Sequence, residues 1–435
     1  MSTARAVAFA MDATLADAPP AVGCHVRRRV LDTLAATVAG FRTPGIDVTL
    51  AYVRDRLDGG EATLLDRTGT RRSLEGAVLA NATAANTLDI DDGHRAVKGH
   101  PAAVVVPAAL AAAEAADATV GEFLDAVFVG YELGVRAGLA IHATDGVYTG
   151  TGSWGGVGAA AAVGRLRGLD RSVFADALSV AEYHGPRTPI MRGVERPGMT
   201  KDGVGWGAYS GTAAALLAKR GFTGSGTVFD ETDVTVLADL GERYQVTRGY
   251  LKPYPCCRWA HPGLDAVLAL RAEHDLAPDH VETIRVFTFE EATHLQTRHP
   301  ETVEEAEYSY PYPVAVAMAR GEFTTAALGE AMRTDLTVRR LADAVELAVD
   351  PDLDAAFPAS CLARAEIETG AETVASDEAV QPRGARERPL DPDAFERKLR
   401  TLFEPTLDGA DVEAFEAAVE DPGVSVEKLL TKLHG

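Results

Sequence analysis

The stretch from Asn81 to Pro107, NATAANTLDIDDGHRAVKGHPAAVVVP, limits what this chain can be more than any other. An Ala- and Leu-rich run ends in Asp89, Asp91 and Asp92. His94 follows, and a short Gly-containing loop brings His100 just before Pro101 opens a second apolar run. Proline at a first helical position is pre-organised and gives up no needed N–H. The pattern predicts helix, loop, helix, with carboxylates closing the first helix and His100 starting the second. Acids normally avoid a helix C-terminus, where the dipole is negative, so three aspartates there need a reason. A solvated acidic turn is the plainest one. A calcium loop is excluded, because Gly93 falls where a ligand belongs and His100 where the closing Glu belongs. Asp91, His94 and His100 have the donors for a transition metal. The remaining reading is acid–base chemistry by a carboxylate and an imidazole.

Hydrophobic residues make up 46% of the 435, which excludes a disordered chain and favours two domains over one core. The Ala-rich runs are too short to span a bilayer. Met1–Asp12 lacks the basic start and apolar core of a signal peptide, so a cytoplasmic protein is expected. A net charge of −22 argues against nucleic acid, whose phosphates would be repelled. Lysine occurs only at positions 98, 201, 219, 252, 398, 428 and 432. An acidic, lysine-poor surface suits a salt-adapted source, because salt screens self-repulsion. It also makes a lysine inside a motif harder to dismiss as decoration. Four cysteines without C-x-x-C spacing leave no zinc or iron–sulfur motif. No metal and no cofactor are expected.

Helical periodicity runs through Val22–Phe41, Val48–Leu57, Leu74–Leu88, Pro101–Ala116 and Gly121–Ala140. The Gly/Thr-rich Asp145–Gly158 reads as a loop leading into helix Ala159–Leu166. A helix over Arg171–Tyr183, a Pro/Arg-rich loop over Gly185–Thr200 and a Gly/Ala-rich helix from Lys201 to Arg220 follow. The character changes near Gly249. His280–Phe289 alternates as a strand should, and Ala363–Glu368 is a second strand. Helices are read at Trp259–His274, Tyr312–Ala319, Thr325–Met332 and Thr337–Ala344, with a polar connection over Gly370–Arg386. Asp393–Leu402, Asp411–Ala417 and Val424–Leu433 return to helix. The expected fold is mainly α: a helical domain over 1–249, rejoined by 390–435, and an α/β unit over 250–389.

Lys252-Pro-Tyr-Pro-Cys-Cys-Arg-Trp-Ala-His261 packs Lys252, Cys257, Arg258 and His261 into one loop entering a helix. A helix N-terminus with Arg and Lys nearby suits carboxylates, by dipole and bidentate hydrogen bonds. A hinge with capping residues would carry a similar composition. Cys256 or Cys257 as a nucleophile would need a depressed pKa, which a neighbouring Arg can provide. His100 is expected to be pushed toward its neutral form by its helix N-terminus, countered by the aspartates.

Asn81–Ala84, Leu88–Asp92 and Gly99–Pro101 together resemble the signature of the MmgE/PrpD family: an Asn-x-x-Ala helix, Leu-Asp-x-Asp-Asp, then Gly-His-Pro. That family includes 2-methylcitrate dehydratases, cis-aconitate decarboxylases and iminodisuccinate epimerases. The Lys252–His261 segment is similar to the family's domain junction. The resemblance covers nearly the whole chain from about Ala36. It implies a helical domain from both chain ends, an inserted α/β lid and a homodimer. It also implies that Lys201, in Met-Thr-Lys-Asp-Gly, faces substrate and that Tyr312, in Tyr308-Ser-Tyr-Pro-Tyr, is an active-site tyrosine. Two positions depart from the family pattern. Thr149 stands where many relatives have a histidine, and Gly93 where the decarboxylases have Thr. The expected activity is a metal-independent lyase, a hydro-lyase dehydrating a 2-methylcitrate-like acid. Asp89 and His100 would be base and acid, and Lys201, Lys252 and Arg258 would hold carboxylates. An imino- or amino-diacid epimerase, a decarboxylase and a non-catalytic carboxylate binder are the alternatives.

Overall fold

The computed structural model describes residues 2–146, 148–231, 235–404 and 406–434. Val147, in the Gly/Thr-rich loop singled out above, lies outside the described residues. Helices dominate from the start: α1 (Ser2–Asp12), α2 (Pro20–Gly40), α3 (Ile46–Arg56) and, after a two-strand ribbon of β1 (Ala62–Thr63) and β2 (Arg71–Arg72), α4 (Leu74–Thr87). Then come α5 (Pro101–Glu114), α6 (Val120–Asp145), α7 (Gly152–Leu166), α8 (Arg171–Tyr183), α9 (Ile190–Glu195) and α10 (Val204–Ala218). Every residue of α5 is buried. Its sequence is apolar on all sides, so it can only sit inside the bundle, and its first turn presents His100 from the interior.

The Gly-rich segment read as a loop is helical from Gly152 onward. Glycine is a poor helix former in isolation, but here it permits contact. A Cβ at Gly211 of α10 would clash with the backbone of α7, meeting the Gly156 carbonyl oxygen at 2.1 Å. Tertiary packing overrides the local preference.

The second portion holds α11 (His261–Glu273), β3 (Val281–Thr288), α12 (Val303–Glu307), α13 (Pro311–Arg320), α14 (Glu330–Arg333), α15 (Leu336–Asp343), β4 (Val345–Val349), α16 (Pro351–Ala356), β5 (Arg364–Thr369) and β6 (Thr373–Ala375). Its sheet has the order β4-β3-β5-β6. β3 pairs parallel with β4 (Ile284 opposite Val345) and antiparallel with β5 (Val286 opposite Ala365). The sequence reading missed β4 and β6. Both are short edge strands, and Val345-Glu-Leu-Ala-Val lacks a clean alternation of burial.

Helices α17 (Pro392–Phe403), α18 (Gly409–Glu420) and α19 (Val426–His434) pack back on the first bundle. The Val120 N–H donates to the Val424 carbonyl at 2.8 Å, and the Val426 N–H to Ala118 at 2.9 Å. No helix among the described residues is long and apolar enough to cross a membrane.

Candidate active site

Helix α4 begins on a Ser73 cap, whose hydroxyl accepts from the Gly76 N–H at 3.1 Å. It ends at Leu88, after which Asp89 takes a left-handed backbone conformation (φ 48°). Aspartate tolerates this region better than most residues. The turn leaves carbonyls pointing inward, and three buried lysines meet them. Lys201 Nζ donates to the carbonyls of Asn86 (2.5 Å) and Thr87 (3.3 Å). Lys252 Nζ donates to that of Asp89 (2.7 Å), and Lys398 Nζ from α17 to that of Ile90 (2.7 Å). The negative end of the helix is therefore neutralised by ammonium groups. This is how the chain tolerates aspartates at that end. Lys398 also pairs with buried Asp32 of α2.

The three aspartates divide the work. Asp92 is a strut: its Oδ1 accepts from the Ala102 N–H at the start of α5 (3.0 Å), and its Oδ2 from Tyr131 (3.0 Å), with Arg29 Nε at 3.3 Å. Burial raises its pKa to about 6, against the pull of Arg29. Asp91 orients the imidazole. Its Oδ2 lies 2.9 Å from His100 Nδ1, which also reaches the Asp92 carbonyl at 2.9 Å, and its Oδ1 accepts from Asn86 (3.0 Å). Asp89 is the open one. Its Oδ2 accepts from Lys252 at 2.6 Å, while its Oδ1 is buried and, among the described residues, has no hydrogen-bond donor. That free oxygen lies 3.6 Å from His100 Nε2 and 3.8 Å from Lys201 Nζ.

Burial is the largest influence on the His100 pKa and pushes it down, but Asp91 and Asp89 together outweigh it and hold the imidazole at about 9 despite Lys252. The expectation of a neutral His100 is thus corrected: the carboxylates win over the helix N-terminus. In return, burial raises Asp91, and His100, Lys252 and Asn86 together more than reverse it, to about 2.

Asp89, His100, Lys252, Cys257 and Arg258 line a cavity of about 220 Å³. Sequence reasoning missed Asp202, which also lines it. Its Oδ2 sits 3.5 Å from His100 Nε2 and its Oδ1 accepts from Tyr308 at 3.2 Å. The signal was available, since Asp202 directly follows Lys201. Lys201 lies behind the cavity and pairs with buried Glu307 at 2.7 Å. Burial lifts the Glu307 carboxyl above the usual carboxylate range, with the Lys201 ammonium pulling it back.

Tyr312 is placed elsewhere. Its hydroxyl donates to the Ala327 carbonyl and its ring packs edge-on to Phe323, while Tyr308, one turn earlier, lines the cavity. Thr149 is buried outside the lining, its hydroxyl 3.3 Å from His142. Thr151, two residues on, does the loop's work here, accepting from the His100 N–H at 3.0 Å. His261 is fully buried behind Arg258, with Nδ1 at 3.1 Å from the guanidinium. Burial pushes the Cys257 thiol up to about 12 and Cys256 well above its usual range, so neither is a ready thiolate.

Asp89, Asp91 and His100 are close enough to share a cation, with donor atoms within 4.8 Å, and His94 is not of this set. The Lys252 ammonium already holds Asp89 Oδ2, which weakens the attraction for a metal ion. Gly93 explains one departure in the motif. A Cβ there would meet the Tyr250 ring at 2.2 Å, and the two residues bridge through their backbones. The bare backbone lets Tyr250 form the cavity wall and stack under Arg258, 4.5 Å from the ring centre.

Two family models match: the MmgE/PrpD N-terminal domain over residues 5–242 and the MmgE/PrpD C-terminal domain over residues 254–421. Among curated proteins, the chain is 26% identical over 304 residues to the cis-aconitate decarboxylase-like protein oryM of Aspergillus oryzae (strain ATCC 42149 / RIB 40), covering 62% of each chain. It is 25% identical over 298 residues to a cis-aconitate decarboxylase of Aspergillus terreus (strain NIH 2624 / FGSC A1156), covering 62% of this chain and 60% of the relative. The match spans about three fifths of the length of these relatives.

Proposed function

Because the chain belongs to the MmgE/PrpD family, we propose that it is a lyase acting on a small di- or tricarboxylate by removing a proton α to a carboxylate. One observation carries this: the buried Asp89 Oδ1 has no hydrogen-bond donor among the described residues and faces His100 Nε2 in a cavity with cations in its wall. A carboxylate oxygen with a free lone pair can accept a proton. His100, charged at neutral pH, can return one.

In an elimination, Asp89 takes the α-proton, the C–H electrons form the double bond, and the C–O bond breaks. His100 protonates the departing hydroxyl, which leaves as water. Charge building on the substrate carboxylate during abstraction is met by Lys252 and Arg258. Residues 250–389 act in this reading as a lid over the helical body, supported by a cavity lined from both portions. A 2-methylcitrate-like hydroxy acid fits such a hydro-lyase. Decarboxylation is the second reading, favoured by the similarity to a cis-aconitate decarboxylase and a cis-aconitate decarboxylase-like protein. It breaks a C–C bond to release CO₂ and uses His100 to protonate the carbanion.

Proton NMR of the protein with 2-methylcitrate, citrate and cis-aconitate separates these. Collapse of the 2-methylcitrate methyl doublet to a downfield singlet, or a new vinyl signal from citrate, supports dehydration, and CO₂ release from cis-aconitate supports decarboxylation. Turnover that survives Asp89→Asn would overturn the assignment of the base.

A further inference from the structure

Most cations around the cavity already have protein partners, though Lys252 and Arg258 keep N–H donors to spare. Lys252 is held by Asp89, Arg95 by Glu387 at 3.2 Å, and Arg258 by the carbonyls of Arg383 (2.8 Å) and Pro382 (3.2 Å). Arg248 and Arg386 stand exposed at the mouth. Lys98 differs from all of these. It is half-buried and lines the cavity, yet among the described residues its ammonium makes neither an ion pair nor a hydrogen bond.

Its placement is built, not incidental. The backbone takes a left-handed conformation (φ 46°) at the end of a single 3₁₀ turn, with its N–H donating to the Arg95 carbonyl at 3.1 Å. The Lys98 carbonyl accepts from the Tyr148 hydroxyl at 2.6 Å. The same Tyr148 ring lies 4.0 Å from Nζ, and the Phe357 ring 5.4 Å. Aromatic faces hold an ammonium by cation–π attraction but satisfy none of its three N–H donors. A positioned cation with unused donors, lining the same cavity as Asp89 and the His100 imidazolium, is a receptor for an anion. Lysine is also scarce in this chain, seven in 435 residues, and this one falls inside the Asp/His motif.

Resting on the proposed function, we infer that Lys98 is a specificity-determining residue: it binds a carboxylate of the substrate away from the reacting carbon and so selects acids with an additional carboxylate. Tyr148 and Phe357 hold the ammonium in place, and Tyr148 also fixes its backbone. The site then has two poles. Lys252 and Arg258 serve the carboxylate next to the α-carbon, and Lys98 serves the additional one.

The test uses citrate and citramalate, which differ by one carboxymethyl group replaced by methyl, with binding followed by calorimetry in the wild type, Lys98→Gln and Lys98→Arg. A charged hydrogen bond lost from a substrate corresponds to about a 10- to 100-fold change. Lys98→Gln should weaken citrate by that factor and citramalate by less than about threefold, and Lys98→Arg should recover part of the loss. With a turned-over tricarboxylate, most of the effect should fall on KM. Equal weakening of both acids, or unchanged citrate binding, overturns the role of Lys98 and leaves the lyase reading intact. A wild-type protein that neither binds nor converts any of these acids or cis-aconitate overturns both.

Discussion

Replacing Asp91 by Asn tests the electrostatic core of the site. His100 is raised from 6.5 to about 9 against burial, with Asp91 as the largest raising influence, Asp89 adding to it and Lys252 opposing. A rise of that size corresponds to about 3 kcal/mol favouring the imidazolium in the fold. Because the folded pKa is the higher one, this contribution is complete below 6.5 and is lost as pH rises through about 9. Asp91→Asn removes the charge while keeping an oxygen that can accept from Asn86. Burial and Lys252 then act against only Asp89 at 3.6 Å and Asp202 at 3.5 Å, so the His100 pKa should fall well below its wild-type value. Carbon-13 labelling of histidine, with His100→Gln to assign one resonance among eleven, gives the titration directly. A site-specific probe is needed because Asp92 titrates near 6 with its own effect on stability. A wild-type His100 titrating near 6.5, or an Asp91→Asn value still near 9, would refute the reasoning. If turnover depends on the imidazolium, its alkaline limb should move down with the pKa.

Lys398→Met leaves Asp32 buried and unpaired and the Ile90 carbonyl without its donor. A loss of about 3–5 kcal/mol in denaturant unfolding is expected, and Lys398→Met with Asp32→Asn should recover part of it. Wild-type stability in the single variant would show the pair to be idle. Gly93→Ala drives a methyl into the Tyr250 ring and should cost about 1–3 kcal/mol in the same assay, so an unchanged unfolding curve counts against the packing described. Native iodoacetamide labelling at pH 8 should modify exposed Cys24 and spare buried Cys256 and Cys361 and half-buried Cys257, whose thiol is pushed up to about 12. A second adduct in the mass spectrum would contradict this burial and the raised thiol pKa values. A net charge of −22 is unscreened over about 30 Å at 0.01 M salt, so the melting temperature should climb toward molar KCl, and a flat profile would remove the salt-adaptation proposal.

The sequence by itself determined the long helices, the first strand of the sheet and the identity of the Asp/His motif, because each is written in neighbouring residues. Alternation over His280–Phe289 and helical spacing over Leu74–Leu88 need no distant partner to be read. Tertiary structure decided what the motif's residues do. Lys201, Lys252 and Lys398 are far apart in the chain and share no local pattern, yet they meet the carbonyls of residues 86–90. Only the folded chain shows that this cationic cap is what allows aspartates at a helix C-terminus. The His100 charge was misjudged for the same reason, since a local view weighs the helix end while the fold adds a carboxylate at 2.9 Å. The choice of Tyr308 over Tyr312 follows from where α13 begins. Tyr308 precedes the helix and faces the cavity, whereas Tyr312 is locked into the helix and its own packing. Sequence spacing lists which groups are present; charge and burial, which act through space, set their protonation and their roles.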